Sequence, residues 1–220
     1  VVLGVVIPVV AYDGFHVMAS LGLAGGLWVI ISSLYEPFQR LRNKQTLSRG
    51  VLGMVVAHVG VGLFAIGVTV VESYRIEKDV ALQPGESVEM KGYTFKFDSI
   101  EHVAGPNWDA EQAHFTVLDG DKVIAKLNPQ KRVYRVRTMP MTEAGIEVDW
   151  NRDLFVAMGE DLGAGKWSMR VQYKPMVRFI WFGAFVMALG GLIAITDRRY
   201  RTRRVVADER IGGADTVKAT

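Results

Sequence analysis

His58 is the side chain of this sequence most suited to unusual chemistry, because it lies alone inside a long apolar run. The run is VLGMVVAHVGVGLFAIGVTVV, from Val51 to Val71, and His58 is its one ionisable side chain. An ionisable group inside a membrane-length segment is costly and is a candidate functional site by default. Neutral imidazole is also a common ligand of metal ions and of haem iron. The sequence therefore makes His58 the first candidate for a cofactor ligand.

The neighbours of His58 along a helix allow two different uses of its imidazole. Gly62 and Ala65, one and two turns away, would leave room for a flat body to lie against the backbone beside a nitrogen donor. A different stripe of small residues, expected to pack closely on another helix, consists of Gly53, Gly60 and Gly67. The alternative use is a hydrogen bond from His58 to a Ser, a Thr or a carbonyl of a neighbouring helix. Periodicity alone does not separate these two interpretations.

The remaining histidines offer weaker chemistry. His16 falls in a short loop near the end of an apolar block, and His102 and His114 fall in the polar middle of the chain. Neither His102 nor His114 belongs to an HxH or HxxxH pair, so we expect surface or structural roles for both. The sequence has no Cys, which excludes disulfides, thiolate metal sites and covalent haem attachment to this chain.

A basic run in the polar middle is the most concentrated charged feature of the sequence. It reads NPQKRVYRVRTMPMTEAG, and its cations are Lys131, Arg132, Arg135 and Arg137. These cations could meet acidic groups such as haem propionates or the carboxylates of a partner. They could equally form the solvated face of a strand, which we favour because charge alone is a weak signal. No nucleophile elbow, phosphate loop or paired-carboxylate motif is present, so the catalytic residues stay unknown, and we expect no nucleic-acid partner.

Apolar blocks divide the chain into membrane-crossing and polar parts. A helix of roughly 20 apolar residues spans a bilayer, and the 220-residue chain holds several such blocks around its polar middle. We predict a partial helix at about residues 1–11, helices at 17–36, 51–71 and 176–196, a basic loop at 37–50, a β domain at 72–175 and a basic tail at 197–220. The apolar start without Met predicts a chain that begins inside a transmembrane helix of a larger or split protein.

Positive charges predict the orientation of these segments, because Lys and Arg favour the cytoplasmic side of a membrane. The loop EPFQRLRNKQTLSRG and the tail DRRYRTRRVV are both basic, whereas the loop AYDGFH has no Lys or Arg. The polar middle then lies outside, in the periplasm of a bacterium with an inner membrane. The predicted fold class is a polytopic α-helical membrane protein with an inserted periplasmic all-β domain, with membrane lipid around its helices.

The polar middle carries strand patterns. YTFKFDSI alternates apolar and polar residues, and AHFTVLDGDKVIAKL contains two strand-like runs around Asp119-Gly120, a hairpin turn signal. Further short strands are predicted at KRVYRVRTM, DLFVAMGE and KWSMRVQYK, with a turn at Asp161–Gly165 between the last two. This spacing predicts a small antiparallel barrel or sandwich.

Several stretches together resemble one protein family. They are GMVVAHVGVGLFAIGVTVVESYRIEKDV, GPNWDAEQAHFTV, LNPQKRVYRVRTMPMTEAGI, RDLFVAMGE and YKPMVRFIWFGAFVMALGGLIAITDRRYR. The combination of an intramembrane AHxGV, a KR-x-Y followed by MTEA, and a DRRYR end resembles the C-terminal part of the CcmF/NrfE cytochrome c-type biogenesis proteins. These are the haem lyase subunits of the cytochrome c maturation system.

The resemblance implies a haem b held by two transmembrane histidines, of which His58, in AHVGV, matches the second. It implies that the whole protein receives haem from a haem-chaperone protein and joins it to apocytochrome c, whose thiols other subunits present. The first ligand, a tryptophan-rich segment and two flanking histidines belong to parts of the family that this chain does not contain. We therefore expect half of a haem b site here, with His58 as the ligand of the haem iron, and no independent catalysis.

The first functional hypothesis is thus the C-terminal portion of a cytochrome c haem lyase, in which His58 is an axial ligand of a transmembrane haem b. The alternative is a non-catalytic, membrane-anchored assembly subunit whose β domain binds partner maturation proteins. In that case, His58 would only bond a neighbouring helix, and no haem would accompany the chain. A transporter fragment is less favoured, because these apolar helices lack Pro or paired charges at mid-depth.

Overall fold

The computed structural model describes residues 16–136 and 139–197. The predicted partial helix at 1–11, Arg137 and the basic tail from Arg198 onward lie outside these residues. The chain divides into two compact units. A helical unit comprises residues 1–69 and 179–220, and a β unit comprises Val70–Arg178.

Three long apolar helices are found in the described part of the chain: α1 (Val17–Arg42), α2 (Arg49–Tyr74) and α3 (Val177–Ile195). All three are long and apolar enough to cross a membrane. The first of them continues beyond Glu36 to Arg42, and its last turns are supported by a 2.6 Å hydrogen bond from Arg40 Nη2 to the Glu36 carboxylate, one helical turn earlier. Its last turn carries Arg40 and Arg42, cations that suit a helix C-terminus.

Glycines bring α2 and α3 into backbone contact, as the stripe of Gly53, Gly60 and Gly67 predicted. A Cβ added to Gly60 would lie 2.7 Å from the Gly183 carbonyl oxygen, and one added to Gly53 would lie 2.6 Å from the Gly190 carbonyl oxygen. Real Cβ atoms do not approach so closely, so only glycine permits this helix spacing. The predicted close packing of this stripe is confirmed.

The beginning of α2 is also fixed by Asp197, the second residue after the end of α3. The Gly50 amide donates a 2.6 Å hydrogen bond to Asp197 Oδ2, and Asp197 is 7% exposed. A carboxylate at this position satisfies an orphan donor of the first helical turn and complements the helix dipole. Asp197 therefore acts as a cap supplied by the segment that follows α3.

In the described residues of the β unit, ten strands form two antiparallel sheets. The strands are β1 (Ile76–Leu82), β2 (Ser87–Met90), β3 (Tyr93–Ala104), β4 (Trp108–Asp119), β5 (Lys122–Leu127), β6 (Gln130–Tyr134), β7 (Pro140–Glu143), β8 (Gly145–Val148), β9 (Arg152–Gly163) and β10 (Lys166–Pro175). One sheet has the order β1-β10-β9-β8. The other has the order β2-β3-β4-β6-β7, with β5 also paired to β4.

The two predicted hairpin turns are present. Gly120, with φ 58°, stands between β4 and β5, and Gly163 and Gly165, with φ of 81° and 74°, flank the turn between β9 and β10. Positive φ favours glycine at these positions. The strand predicted at KRVYRVRTM is found in part, as β6, which ends at Tyr134. The next amide, that of Arg135, still bonds the Asn107 carbonyl at 3.0 Å, in register with the β4–β6 ladder.

Alternating side chains from both sheets meet in one core, so the fold is a β-sandwich. The largest fully buried side chains of this core are Phe95, Phe97, Phe115, Leu154, Met158 and Met169. The Phe97 and Phe115 rings stack with centroids 5.0 Å apart. Burying each such side chain stabilises the fold by about 1.5–3 kcal/mol. The three apolar helices and the β-sandwich together confirm the predicted fold class of apolar membrane helices with an inserted all-β domain.

A corner at Gly145 joins the two sheets at one edge. The neighbouring strands β7 and β8 belong to different sheets, and Ala144 alone separates them. Gly145 is buried, and a Cβ added there would lie 3.0 Å from Leu127 Cβ and 3.1 Å from the Asn128 amide nitrogen. The close approach explains why glycine occupies this corner.

Candidate functional site

His58 lies in the middle of α2, on a face that meets neither of the other described helices. The Gly60 side of α2 contacts α3, and the side bearing Gly62 contacts α1. The remaining face carries His58 with Met54 and Val61, which are 41% and 42% exposed. His58 is itself exposed. An apolar, outward-facing surface thus surrounds this ionisable side chain.

One hydrogen bond fixes the imidazole of His58. Its Nδ1 atom lies 2.8 Å from the Met54 carbonyl oxygen, one turn earlier in the same helix. A carbonyl oxygen can only accept, so Nδ1 carries the hydrogen and donates it. In the neutral ring, Nε2 is then the nitrogen with a free lone pair. Backbone carbonyls hold metal-binding histidines in this way, with the second nitrogen left for the metal.

The predicted room beside His58 is wrong at Gly62. A Cβ added to Gly62 would lie 2.8 Å from the Gly26 carbonyl oxygen, so α1 already fills that space. Four residues turn a helix by about 40° beyond a full circle. That offset moves Gly62 from the His58 face onto the α1 contact. Ala65 stays beside His58 and is half-buried.

The alternative hydrogen bond to a neighbouring helix finds no partner among residues 16–136 and 139–197. The hydrogen bond of His58 in that part of the chain goes to its own helix, at Met54. The same ranges contain no group of three or more His, Cys, Asp or Glu side chains that could hold a metal ion. A metal bound at His58 would need further ligands from outside the described residues, or a macrocycle.

The histidines of the β-sandwich have local partners. His102 Nδ1 lies 2.9 Å from Glu111 Oε1 across the β3–β4 ladder. The two ring nitrogens of His114 lie 2.9 Å from Glu101 Oε1 and 2.9 Å from Asn128 Oδ1. These contacts support the structural roles predicted for His102 and His114. His16 is exposed and immediately precedes α1.

The described cations of the basic run are paired within the sandwich. Lys131 Nζ lies 2.8 Å from Glu160 Oε1, and Arg135 Nη2 lies 3.8 Å from Asp109 Oδ1. Arg132 lies 3.4 Å from a Glu143 carboxylate oxygen, and its guanidinium stands 4.4 Å from the ring centre of Trp108. Such pairing supports the favoured interpretation of a charged strand surface over an anion site.

A buried ionic cluster in the sandwich was missed by sequence reasoning. Arg152 is 5% exposed and donates hydrogen bonds to Glu147 and, at 3.2 Å, to the Tyr93 hydroxyl. Arg152 shares the inward-facing register of Leu154 and Val156 on β9. The alternation that predicts those residues as core also marks Arg152 as an inward charge, which was the available signal.

Asp153 adds a second titrating group to this cluster. Burial raises the pKa of the Asp153 carboxyl, and the Arg178 guanidinium, with Nε 4.0 Å away, opposes that shift. The Tyr93 and Tyr173 rings stack nearby, with centroids 6.2 Å apart. Burial likewise raises the pKa of the Tyr173 hydroxyl. The cluster bonds the start of β9, at Arg152, to side chains of β3 and β8.

Comparisons with known proteins agree on one family. The family described as "CcmF C-terminal beta-sandwich" matches residues 73–175. The chain is 41% identical over 206 residues to "Cytochrome c-type biogenesis protein CcmF" of Pseudomonas fluorescens, covering 90% of this chain and 31% of that protein. The protein of the same name from Escherichia coli (strain K12) is 37% identical over 202 residues, covering 92% and 31%.

A solved structure, "Cytochrome c Heme Lyase CcmF", has the same fold with a TM-score of 0.73 at 18% identity, covering 89% of this chain and 33% of that chain. The chain therefore spans about a third of the length of the proteins it matches. With its three apolar helices, it is a membrane protein. The resemblance seen in the sequence is confirmed, and the chain belongs to the CcmF/NrfE family of cytochrome c-type biogenesis proteins, matching the C-terminal part of that family.

Proposed function

We propose that this chain acts as the C-terminal portion of a cytochrome c haem lyase and takes part in attaching haem to apocytochrome c. In this role, His58 is one axial ligand of a transmembrane haem b. The names of the matched proteins, a cytochrome c-type biogenesis protein and a cytochrome c haem lyase, support the process. The environment of His58 supports the role of that residue.

The hydrogen bond from His58 Nδ1 to the Met54 carbonyl is the observation that carries the proposal. It sets the tautomer, orients the ring and makes Nε2 the atom that would bind iron. The surrounding apolar side chains, Met54 and Val61, suit the flat hydrocarbon of a porphyrin and would keep water from its edge. A single imidazole fits half of a bis-ligated site.

Haem at this position would supply one-electron chemistry at its iron, and the axial imidazole would tune the iron potential. The part of the chain is to hold His58 at a fixed place on α2. Close contacts of the α2 glycines with α1 and α3 hold the backbone of α2, and therefore the Cα atom of His58, in one position. His16, His102 and His114 all lie outside the described helices. We therefore place the second axial ligand in the rest of the haem lyase protein.

The positive charges support an orientation for the chain in a bacterial inner membrane. Arg40 and Arg42 stand in the last turn of α1, and in the proposed orientation this end faces the cytoplasm, the side that basic residues favour. The β-sandwich then lies in the periplasm, where it can meet the proposed partners. These are the remainder of the haem lyase protein, a haem-chaperone protein, apocytochrome c and the subunits that present its thiols.

The haem spectrum of the complete protein tests the role of His58. In His58→Ala, we expect loss of most of the bound haem, or a changed axial-ligand signature in the optical spectrum. Added free imidazole should restore part of the original spectrum, because it can fill the vacated position. His102→Ala is the matched control, since it removes an exposed histidine from the sandwich and should leave the spectrum unchanged. Full haem retention with an unaltered spectrum in His58→Ala would rule out ligation.

The same purification addresses the alternative of a non-catalytic assembly subunit. A complete protein that contains no haem per chain when purified from haem-replete cells would favour that alternative. Haem present in the parent protein and lost in His58→Ala would exclude it.

A further inference from the structure

An open cavity of about 260 Å³ lies between the two sheets of the sandwich. One sheet contributes residues of β3, β4, β6 and β7 to its wall, and the other contributes residues of β9 and β10. Trp167 lines the cavity and also packs against the apolar core, so the cavity borders that core. The described residues of the wall all belong to strands, and the strand pairing therefore sets their positions.

One part of the wall is apolar. It consists of Ala110, Val133, Pro140 and Trp167. Val133 is 38% exposed, and Pro140 is exposed as well, so part of this apolar surface is open to solvent. Such a surface suits the aliphatic part of a ligand. An indole ring, here that of Trp167, can also attract a cation to its face.

The other part of the wall is acidic. Its four carboxylates belong to Asp109, Glu111, Glu160 and Asp161. Lys131 is the one Lys or Arg among the described residues of the wall, and Arg135 lies 3.8 Å from Asp109. Negative charges exceed positive charges by two even when Arg135 is included. The chain as a whole carries a formal charge of +3, so this negative excess is local.

Hydrogen bonds hold two of these carboxylates in place. Asp161 Oδ1 accepts a 2.8 Å bond from the Gly163 amide, and Glu111 Oε1 lies 2.9 Å from His102 Nδ1. A carboxylate has two oxygens, so each of these groups can accept a further bond from a ligand. The acidic part of the wall is thus arranged in advance for a cationic group.

Lys131 shows how a long cationic side chain is held at this wall. Its Nζ lies 2.8 Å from Glu160 Oε1 on the opposite sheet, while its side chain is only 17% exposed. Lysine and arginine can bury their aliphatic stems on apolar surface and keep the charged group among polar partners. The same combination of apolar and acidic surface can hold a second such side chain, supplied by another molecule.

We propose that this cavity binds a lysine or arginine side chain from a basic segment of a partner protein. The aliphatic stem lies against Val133 and Trp167, and the charged group lies among the carboxylates. Charge complementarity is the argument for this occupant, because a neutral or acidic segment would leave the excess negative charge unpaired. The proposal goes beyond haem attachment and does not depend on haem binding at His58.

Binding of a dye-labelled peptide to the purified full chain in non-ionic detergent tests this proposal. The probe is a decapeptide of alternating glycine and lysine, and the comparison peptide has glutamine in place of every lysine. Fluorescence anisotropy at low ionic strength would measure both dissociation constants, because salt screens contacts between exposed charges. We expect the lysine peptide to bind the parent chain and the glutamine peptide to bind much more weakly.

Glu160→Gln is the informative variant. It removes one negative charge and leaves the Lys131 ammonium without its 2.8 Å partner, and both changes disfavour a second cation. We expect the dissociation constant of the lysine peptide to rise about fivefold, as for one partly exposed charge contact. Asp121→Asn is the matched control, since it also removes one negative charge but follows the opposite end of β4 from Asp109. It should leave the affinity unchanged.

Three outcomes would overturn the proposal. They are equal affinity for the lysine and glutamine peptides, equal effects of Glu160→Gln and Asp121→Asn, and no binding of the lysine peptide to the parent chain. Self-association of the chain that Glu160→Gln abolishes, without peptide binding, would identify a second copy as the occupant instead. Circular dichroism would verify folding of each variant, and Glu111→Gln would repeat the test at a second carboxylate should Glu160→Gln unfold.

Discussion

The two units of the molecule treat their polar side chains differently. In the β-sandwich, His102 and His114 lie within 2.9 Å of side-chain oxygens on adjacent strands. In the helical unit, His58 bonds a carbonyl of its own helix on a face that α1 and α3 leave uncovered. Contacts within the sandwich therefore explain the positions of His102 and His114. Contacts with α1 and α3 do not explain the position of His58.

The difference extends to apolar side chains. The sandwich buries Phe95, Phe97 and Phe115 completely or nearly so. The helices instead expose large apolar side chains, including Trp28, Trp181, Phe185, Leu192 and Ile195. Glycines on both helices allow the backbones of α2 and α3 to approach closely. The sandwich has its own apolar core, whereas the described helices leave large apolar side chains exposed. A functional residue of the helices is therefore best sought where local packing does not explain a polar side chain, as at His58.

The largest effect should come from Gly190→Leu. A Cβ at Gly190 would lie 2.7 Å from Ala57 Cα, so the side chain cannot enter without separating α2 from α3. We expect a loss of roughly 3 kcal/mol, the upper end for overpacking, measured by unfolding of the detergent-solubilised chain.

The neighbouring residue supplies the control for that change. A Cβ on Gly191 would meet nothing within 4 Å. Gly191→Leu should therefore keep the parent stability. If both variants unfold alike, close glycine packing is not what joins these helices.

A smaller effect is expected for Arg152→Met in the sandwich. The substitution keeps much of the side-chain volume but leaves Glu147 charged without its buried partner. Removing one partner of a buried pair costs about 3–5 kcal/mol. We expect about 2–3 kcal/mol here, because Glu147 retains 23% side-chain exposure. Denaturant titration followed by near-ultraviolet circular dichroism would measure it.

Arg170→Met is the matched control for Arg152→Met. Arg170 pairs with Asp79 at 2.8 Å, but both side chains are more than half exposed. Exposed pairs contribute little to stability. If the two variants lost comparable free energies of unfolding, burial of Arg152 would not be the reason that its ion pair stabilises the fold.

The smallest effect is a pH dependence of opposite sign at two aspartates. Burial raises the pKa of the Asp153 carboxyl, so folding favours its protonated form. The resulting contribution to the stability of the fold is fully present below the ordinary aspartate pKa, and it is lost as pH rises through the raised value. The hydrogen bond from Arg170 lowers the pKa of Asp79, so its contribution is present above the ordinary pKa and is lost as pH falls.

Asparagine variants of the two aspartates allow the two pH dependences of stability to be measured. Relative to the parent, Asp153→Asn should gain stability as pH rises from acid towards neutrality, whereas Asp79→Asn should lose stability over the same rise. Thermal unfolding at several pH values would record both. Parallel slopes for the two variants would contradict the assigned shifts.

Sequence patterns predicted the parts of the fold that depend on local chemistry. Apolar length predicted the helices, and the Asp119-Gly120 and Asp161–Gly165 turns followed from turn chemistry. The failures needed contacts between distant residues. Gly62 could not be assigned to the α1 contact without knowing which side of α2 that helix occupies.

The candidate site was predictable in part for the same reason. His58 was identifiable from its isolation in an apolar run, but its bond to Met54 depends on a rotamer that no pattern gives. Arg152 was identifiable in principle from strand alternation. Its partners, Glu147 and Tyr93, come from two other strands, so the cluster required the tertiary fold.

The first and last strands of the sandwich lie side by side, with Ile76 opposite Tyr173. The polypeptide thus enters and leaves this domain at neighbouring points, separated by about one strand spacing of 5 Å. Such a module can be spliced between two consecutive membrane helices almost as a short hairpin loop would be. An ancestral helical protein could have acquired the whole sandwich in one insertion event without rearranging the spans around it.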